Sequence, residues 1–475
     1  MHKPDHITAD QMIDNLYADA GVWQLNTGEE KIHPRQVSGR WQRLKWLTSS
    51  VWLLYFLGPY LRWGDRQAVL FDLPAQKFHL FSITILPQDL WLLALVLLFF
   101  AILLAVVTAL VGRVFCGFFC FQTVWTDLYI RIEAWLEGPP RQRAQLDKAP
   151  WDIYKLRIKL LKHSLWLMIA LLTGISFVAW FMDARELWLG FFSADLPLEA
   201  WVTIALFLAG TYTLAGFMRE QTCLWLCPYS RIQGVMVDSS TLLPTYDTKR
   251  GEPRGRLNRE SISDLGDCID CNLCVAVCPT GVDIRQGQQQ GCITCALCID
   301  ACDGVMDKIG RPKGLIRYES LNGLLGEKSP AWFQQPRIWA YLLIITLSAA
   351  GTIYGISTLD TLDLKVIQHR QPMYVLESDG SVRNRYQLKI LNKHNQSARG
   401  ILKIDGPEGM RLQGADDPIE LKASGLTVHE LFIRMPREQL LSDSVKLRFH
   451  VITLGAPVMK ASREGLFIGP ANVAQ

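Results

Sequence analysis

The sequence predicts a membrane α-helical protein of five spans with a cytoplasmic two-cluster bacterial ferredoxin-like domain and a C-terminal immunoglobulin-like β-sandwich. Three observations predict it. Long uncharged apolar runs alternate with basic loops, twelve cysteines are confined between Cys116 and Cys302, and the stretch from Thr361 to Gln475 alternates like short strands and has no cysteine. A hydrophobic content of 49% with 16 Trp and a mean hydropathy of +0.13 is high for a soluble chain of 475 residues. The formal charge of +4, from 49 basic and 45 acidic residues, is too balanced for a nucleic-acid binder, and no basic stripe appears. Confinement of the cysteines also excludes a disulfide-stapled secreted scaffold, in which they would be spread through the folded domains.

Residues 1–40 are polar, with Asp5, Asp10, Asp14, Glu29 and Glu30 and no early apolar run, so they are expected to remain as a cytoplasmic segment rather than a cleaved signal. A first span is expected within 41–61, provided that Trp41 and Leu44 join the apolar run and Lys45 snorkels to the interface. The second, Leu90 to Gly112, is 23 residues without a charge, enough to cross the hydrocarbon core. The third is expected from Ser164 to Met182, the fourth from Ala200 to Met218 and the fifth from Ile338 to Ser357, within 335–357. Arg113 to Lys162 carries nine Lys/Arg, whereas Asp183 to Glu199 carries only Arg185 beside four acids. The first loop is therefore expected inside and the second outside. Five spans then leave the N-terminus and all twelve cysteines in the reducing cytoplasm and the C-terminal domain in the periplasm.

The strongest signal lies between spans four and five, in 219–334. Cys268, Cys271, Cys274 and Cys278 form one C-x2-C-x2-C-x3-C run, and Cys292, Cys295, Cys298 and Cys302 repeat it. In bacterial two-cluster ferredoxins the fourth cysteine of each run ligates the other cluster. That spacing assigns Cys268, Cys271, Cys274 and Cys302 to one 4Fe-4S cluster, and Cys278, Cys292, Cys295 and Cys298 to the second. Zinc is the bland alternative, but zinc sites use separated C-x2-C pairs rather than a triple with a trailing fourth ligand. Pro279 follows Cys278 as the pattern expects; Asp303 follows Cys302.

The remaining four cysteines follow spans two and four: Cys116 and Cys120 in RVFCGFFCFQTVW, Cys223 and Cys227 in REQTCLWLCPYSRIQ. On a helical extension, residues four apart share a face. Both spans descend to the cytoplasm, so the four thiols are expected at one depth. Four readings stay open: a Cu(I) site, suited to soft thiolates; a third iron-sulfur cluster; a redox disulfide or dithiol; and inert packing in the helix ends.

The residues resemble the CcoG/FixG/RdxA family, membrane iron-sulfur proteins associated with cbb-type cytochrome oxidase. The resemblance is carried by RQAVLFDLPAQKFHLF, CGFFCFQTVWTDLY, LDKAPW, AGFMREQTCLWLCPYSRIQ, YDTKRGEPRG, LGDCIDCNLCVAVCPTGVDIR and CIDACDGVMDKIG. It implies a cupric reductase of the inner membrane that supplies Cu(I) for oxidase assembly. It also implies a copper site at the C-x3-C pairs, and the assembly machinery or a copper chaperone or transporter as partner. The family pattern has proline after both pairs; here Pro228 follows Cys227 but Phe121 follows Cys120, which predicts a different local backbone at the first pair.

No span pairs histidines for haem, and His163 alone lies near one. Without a relay across the bilayer, electrons are expected to be used on the cytoplasmic side or taken from quinol near that face. Segment 235–265 is polar and reads as a linker wrapping the ferredoxin unit. Beyond span five, RYQLKILNK, RGILKID, LTVHELFIRM and SVKLRFHVITL alternate like half-buried strands, and 361–475 reads as a docking or binding module. His369, Met373, His429 and Met459 are scattered singly there and read as ordinary surface or core residues. Two functions survive: a metal reductase, or an electron-transfer and assembly subunit that passes electrons from quinol or a soluble donor to a partner membrane complex.

Overall fold

The computed structural model describes residues 32–470 except 65, 82, 256–264, 359–361, 370, 394–395, 415–417, 424, 441 and 456–457. Most of the expected 1–40 segment, through position 31, lies outside the described residues, as does the middle of the 235–265 segment. The chain divides into two compact units, Met1–Tyr60 with Ala94–Gly351, and Leu61–Leu93 with Thr352–Gln475.

Among the described residues four helices are long and apolar enough to cross a membrane: Leu90–Val111, Ile153–Val178, Leu198–Met218 and Pro336–Ser357. At 1.5 Å per residue, the 22 residues of the first reach about 33 Å, the thickness of a hydrocarbon core. The Ile153–Val178 helix starts eleven positions before the expected span and stops four before its expected end. Its start is set by Asp152, whose carboxylate accepts the Lys155 N–H at 2.7 Å, a cap that lets the charged first turns stay helical.

The expected first span is not one long helix. Helix Arg40–Ser49, a 3-10 turn Ser50–Trp52, helix Leu53–Leu57 and a 3-10 turn Gly58–Tyr60 follow one another. Lys45 does not snorkel: it is 2% exposed and its Nζ lies 2.6 Å from Asp127 Oδ2. The helix begins against the ferredoxin residues, where Asp300 accepts the N–H groups of Trp41 and Gln42 at 3.2 and 2.8 Å. Glycine at its N-cap, Gly39, is required there, because a Cβ would occupy the space of the Asp300 carboxyl group. The first turns thus serve docking, while Leu47, Leu53, Leu54 and Leu57 further along are exposed.

The ferredoxin-type region is closed by two antiparallel strands, Leu243–Tyr246 and Ile316–Glu319, which bracket the cysteine loops. Segment 235–265 is therefore not merely a linker; it supplies one of these strands. Tyr246, Ile284, Ile299, Met306, Leu315 and Ile316 pack into a core against the cysteine loops and helix Leu297–Ile309.

In the second unit two antiparallel sheets enclose one core. One has the order Arg411–Gln413, Gly425–Met435, Val382–Asn392, Leu362–Gln368, with Val375–Leu376 also on Val382–Asn392; the other runs Ile419–Leu421, Ala398–Asp405, Ser444–Leu454, Lys460–Ile468. Tyr386, Leu388, Ile390, Leu431, Ile433, Phe449 and Val451 fill the space between them, as the alternation predicts. All four alternating runs read from sequence fall in strands. Region 41–218, read as a four-helix membrane region, also contains strands Val69–Asp72, Lys77–Leu80 and Ile83–Ile85 in one antiparallel sheet. Three or four residues per strand are too few for periodicity to register.

Candidate metal centre

The two cysteine runs fold into matching loops 24 positions apart. Asp270 and Asn272 in the first run have positive φ (51° and 55°), and Thr294 and Ala296 hold the same places in the second (50° and 60°). Left-handed backbone at non-glycine residues is uncommon, and its repetition in register shows that both loops are held to one tight course. Each loop turns its thiols into a recess. Cys268, Cys271, Cys274 and Cys302 line one, walled by Tyr246, Leu273, Met306 and Ile316. Cys278, Cys292, Cys295 and Cys298 line the other, together with Cys274, Val282, Ile284 and Ile293. The trailing cysteine of each run thus joins the recess of the other run, the crossing expected from the spacing. Cys302 lies inside helix Leu297–Ile309, which explains the departure at the next position. A proline there would interrupt the helix, whereas Asp303 continues it and accepts the Gly314 N–H at 3.0 Å.

Burial pushes the thiols of Cys274 and Cys295 up to about 11 and those of Cys292 and Cys302 up to about 12. Apolar walls disfavour an isolated thiolate, so these positions ionise when a positively charged group takes up the sulfur. Among the described residues no three His, Cys, Asp or Glu side chains converge closely enough for a single metal ion. Each recess is lined by three thiols of one run and the trailing thiol of the other, the ligand set of one 4Fe-4S cluster in a two-cluster ferredoxin.

Cys116, Cys120, Cys223 and Cys227 are brought together. The two pairs meet at helix Pro228–Met236, which Cys227 caps and whose Gln233 accepts the Cys116 thiol. The local geometry differs from a straight extension of the spans. Gly112, at φ 59°, ends the Leu90–Val111 helix, and Val114–Phe118 forms a separate turn. The fourth span widens into π-type turns Leu214–Met218 and Thr222–Leu226, which flank Arg219 at φ 45°. Each second cysteine is the extended N-cap of a new helix: Cys120 (φ −61°, ψ 128°) before Phe121–Glu137, Cys227 (φ −80°, ψ 108°) before Pro228–Met236. The second cysteines therefore share an extended N-cap despite Phe121 standing where Pro228 stands, while the turns before them differ, α-helical at Cys116 and π-type at Cys223. The position is N1, where proline is favoured but its ring is not needed.

Residues that sequence reasoning passed over hold this arrangement. Arg219, 4% exposed, donates to Glu133 Oε1 at 2.7 Å, and Lys162 and Arg143 reach the same carboxylate at 3.4 and 3.7 Å. Ser230 Oγ donates to the Cys223 and Cys227 carbonyls at 2.5 and 3.0 Å, and the Cys116 thiol donates to Gln233 Oε1 at 3.1 Å. Gly117 lets the first pair approach the second cysteine loop: a Cβ there would lie 2.5 Å from Ile293 O and 3.0 Å from Cys295 Cα. Cys116 shares a core with Ile293 and Cys295. The recess holding Cys292 is therefore the inner one, beside the four-thiol site, while the first recess reaches the surface at exposed Cys271. A glycine between two cysteines was the signal available in the sequence for this junction. His163 Nδ1 is hydrogen bonded to the Tyr212 hydroxyl at 3.0 Å.

Comparison with known proteins agrees with these regions. Residues 218–321 match a 4Fe-4S dicluster domain, 93–139 a 4Fe-4S binding domain, and 352–470 the immunoglobulin-like fold at the C-terminus of FixG. The chain is 38% identical over 455 residues to nitrogen fixation protein FixG of Rhizobium meliloti, covering 86% of this chain and 87% of that protein. The chain belongs to the FixG/RdxA family. Protein RdxA of Cereibacter sphaeroides is 41% identical over 425 residues, 86% of this chain and 89% of RdxA. Protein RdxB of the same organism is 39% identical over 472 residues, 96% of both chains. As a FixG/RdxA protein the chain is an iron-sulfur protein of membrane character, and its 93–139 match spans Cys116 and Cys120.

Proposed function

We propose that this protein is a membrane-bound metal reductase that uses two 4Fe-4S clusters to convert Cu(II) to Cu(I) at the four-thiol site, in support of copper delivery to cbb-type oxidase. The observation that carries the reading is the packing of the first cysteine pair, through Cys116 and Gly117, against the inner cysteine recess. Cys268, Cys271, Cys274 and Cys302 hold one cluster and Cys278, Cys292, Cys295 and Cys298 the other. When bound, the clusters supply single electrons at low potential. The rest is the work of the chain. Exposed Cys271 marks where a soluble donor or a quinol delivers electrons, and Gly117 brings the copper site to the inner recess. Cys116, Cys120, Cys223 and Cys227 then retain Cu(I), a soft ion that needs as few as two thiolates. Copper enters as Cu(II), gains one electron and leaves as Cu(I). The basic 113–162 loop supports an orientation with N-terminus and clusters in the cytoplasm, Arg40–Tyr60 completing five spans, and the β-sandwich in the periplasm.

A second reading has its own observation. The 93–139 match to a 4Fe-4S binding domain covers Cys116 and Cys120, and favours a further cluster on the four thiols in an electron-transfer subunit that serves a partner membrane complex. One double variant separates the two. Cys223→Ala with Cys227→Ala is expected to leave both ferredoxin clusters spectroscopically intact while Cu(I) binding and stoichiometric Cu(II) reduction fall together. Retention of both copper activities supports the electron-transfer reading, and loss of iron beyond two clusters identifies a third.

A further inference from the structure

Arg113 follows the uncharged Leu90–Val111 helix and is 5% exposed. Its Nη1 donates to Gln290 O at 2.6 Å, two residues before Cys292, while Nε and Nη2 have no hydrogen-bond partner. Three other buried cations of this region are matched by carboxylates, Arg219 and Lys162 by Glu133 and Lys45 by Asp127. Among the described residues no carboxylate pairs with Arg113. Arg113 is the N-cap of the turn Val114–Phe118 that carries Cys116, and its positive charge is felt at the thiols of Cys116, Cys120, Cys223 and Cys292. A buried, half-satisfied guanidinium is costly unless an anion completes it.

We propose that Arg113 is the counter-cation of the copper-loaded thiolate site and makes that site selective for a monovalent ion. This rests on the copper reading of the four thiols. Two thiolates and one Cu(I) carry a net charge of minus one, which the guanidinium cancels. The same two thiolates with a divalent ion are neutral and leave Arg113 uncompensated. Charge balance therefore favours Cu(I) over Zn(II). It also favours reduction, since one electron from a reduced cluster takes bis-thiolate copper from neutral to anionic. Arg113 is a positioning and selectivity residue, hydrogen bonded to the inner cluster's loop at Gln290 O and set at the start of the turn that carries Cys116.

The test uses the full-length protein in detergent, with Arg113→Gln, Arg113→Lys and Cys223→Ala/Cys227→Ala, titrated with Cu(I) against a chromophoric chelator and separately with Zn(II). Arg113→Gln is expected to lose roughly tenfold or more in Cu(I) affinity, the worth of one charge-assisted hydrogen bond, without a matching loss for Zn(II). Arg113→Lys, which keeps the charge, retains most of the preference. Cluster absorbance serves as the folding control. If Arg113→Gln misassembles, the comparison rests on Arg113→Lys, whose loss of the Cu(I) over Zn(II) preference with clusters intact overturns the proposal. Unchanged Cu(I) affinity in Arg113→Gln, or parallel loss of both metals, overturns it as well. If the double cysteine variant keeps full Cu(I) affinity, the copper reading itself fails; if that variant loses Cu(I) and Arg113→Gln does not, only the role of Arg113 fails.

Discussion

In the ferredoxin-type region three thiols of each recess come from seven consecutive residues, Cys268 to Cys274 or Cys292 to Cys298, and the trailing cysteine of the other run joins them. At the helix ends no segment contributes more than two of the four thiols, and a hundred residues separate the pairs. Local backbone does most of the work in the first case, through paired left-handed residues that repeat in register. In the second, a buried carboxylate with three cations, a serine clamp and one glycine contact hold what the chain does not. The contrast teaches that preorganisation by a loop survives distant damage, whereas a site assembled from helix ends inherits the strength of their packing.

The largest effect should come from the one ligand in each recess that is not local. Cys302→Ser is expected to remove the cluster whose other ligands are Cys268, Cys271 and Cys274, lowering iron by about half while the second cluster stays. Iron analysis with low-temperature electron paramagnetic resonance checks this. Loss confined to the cluster bearing Cys292 would refute the crossed assignment.

Glu133→Ala addresses the other side of the contrast. Glu133 is fully buried and serves Arg219, Lys162 and Arg143, so its removal should cost about 3 to 5 kcal/mol, typical of a broken buried ion pair. Because Arg219 sits between the widened turns that lead to Cys223, copper binding is expected to fail at lower temperature than cluster absorbance. Melting both signals in one sample tests the order, and coincident loss would mean that the two sites are one cooperative unit.

Gly117→Val probes the junction. The added side chain must push the first cysteine pair away from Ile293 O and Cys295, so electron transfer from reduced clusters to bound Cu(II) should slow several-fold with cluster content and copper stoichiometry unchanged. Stopped-flow mixing of reduced protein with Cu(II) gives the rate. The smallest change expected is at Asp300, which caps the Arg40–Ser49 helix from between two cluster cysteines. Asp300→Ala should lower stability by about 1 kcal/mol, read as a shift in thermal unfolding.

Much of this protein was determined by its sequence alone, because the deciding interactions there are local. Four uncharged runs of membrane length and four alternating stretches each fall in an element of the kind that their local pattern specifies. The tertiary structure decided what no local pattern encodes. Lys45 turned from a snorkelling residue into a buried partner of Asp127, and the polar 235–265 segment supplied a strand to the ferredoxin region. Between the first two expected spans, to which no element had been assigned, Val69–Ile85 forms three short strands. Which recess is the inner one, why glycine stands at 117 and what surrounds Arg113 depend on contacts between residues more than a hundred positions apart. Such contacts form only when burial of apolar surface brings separate helix ends to the same place, and a charge or a thiol acquires its environment at that moment, not before.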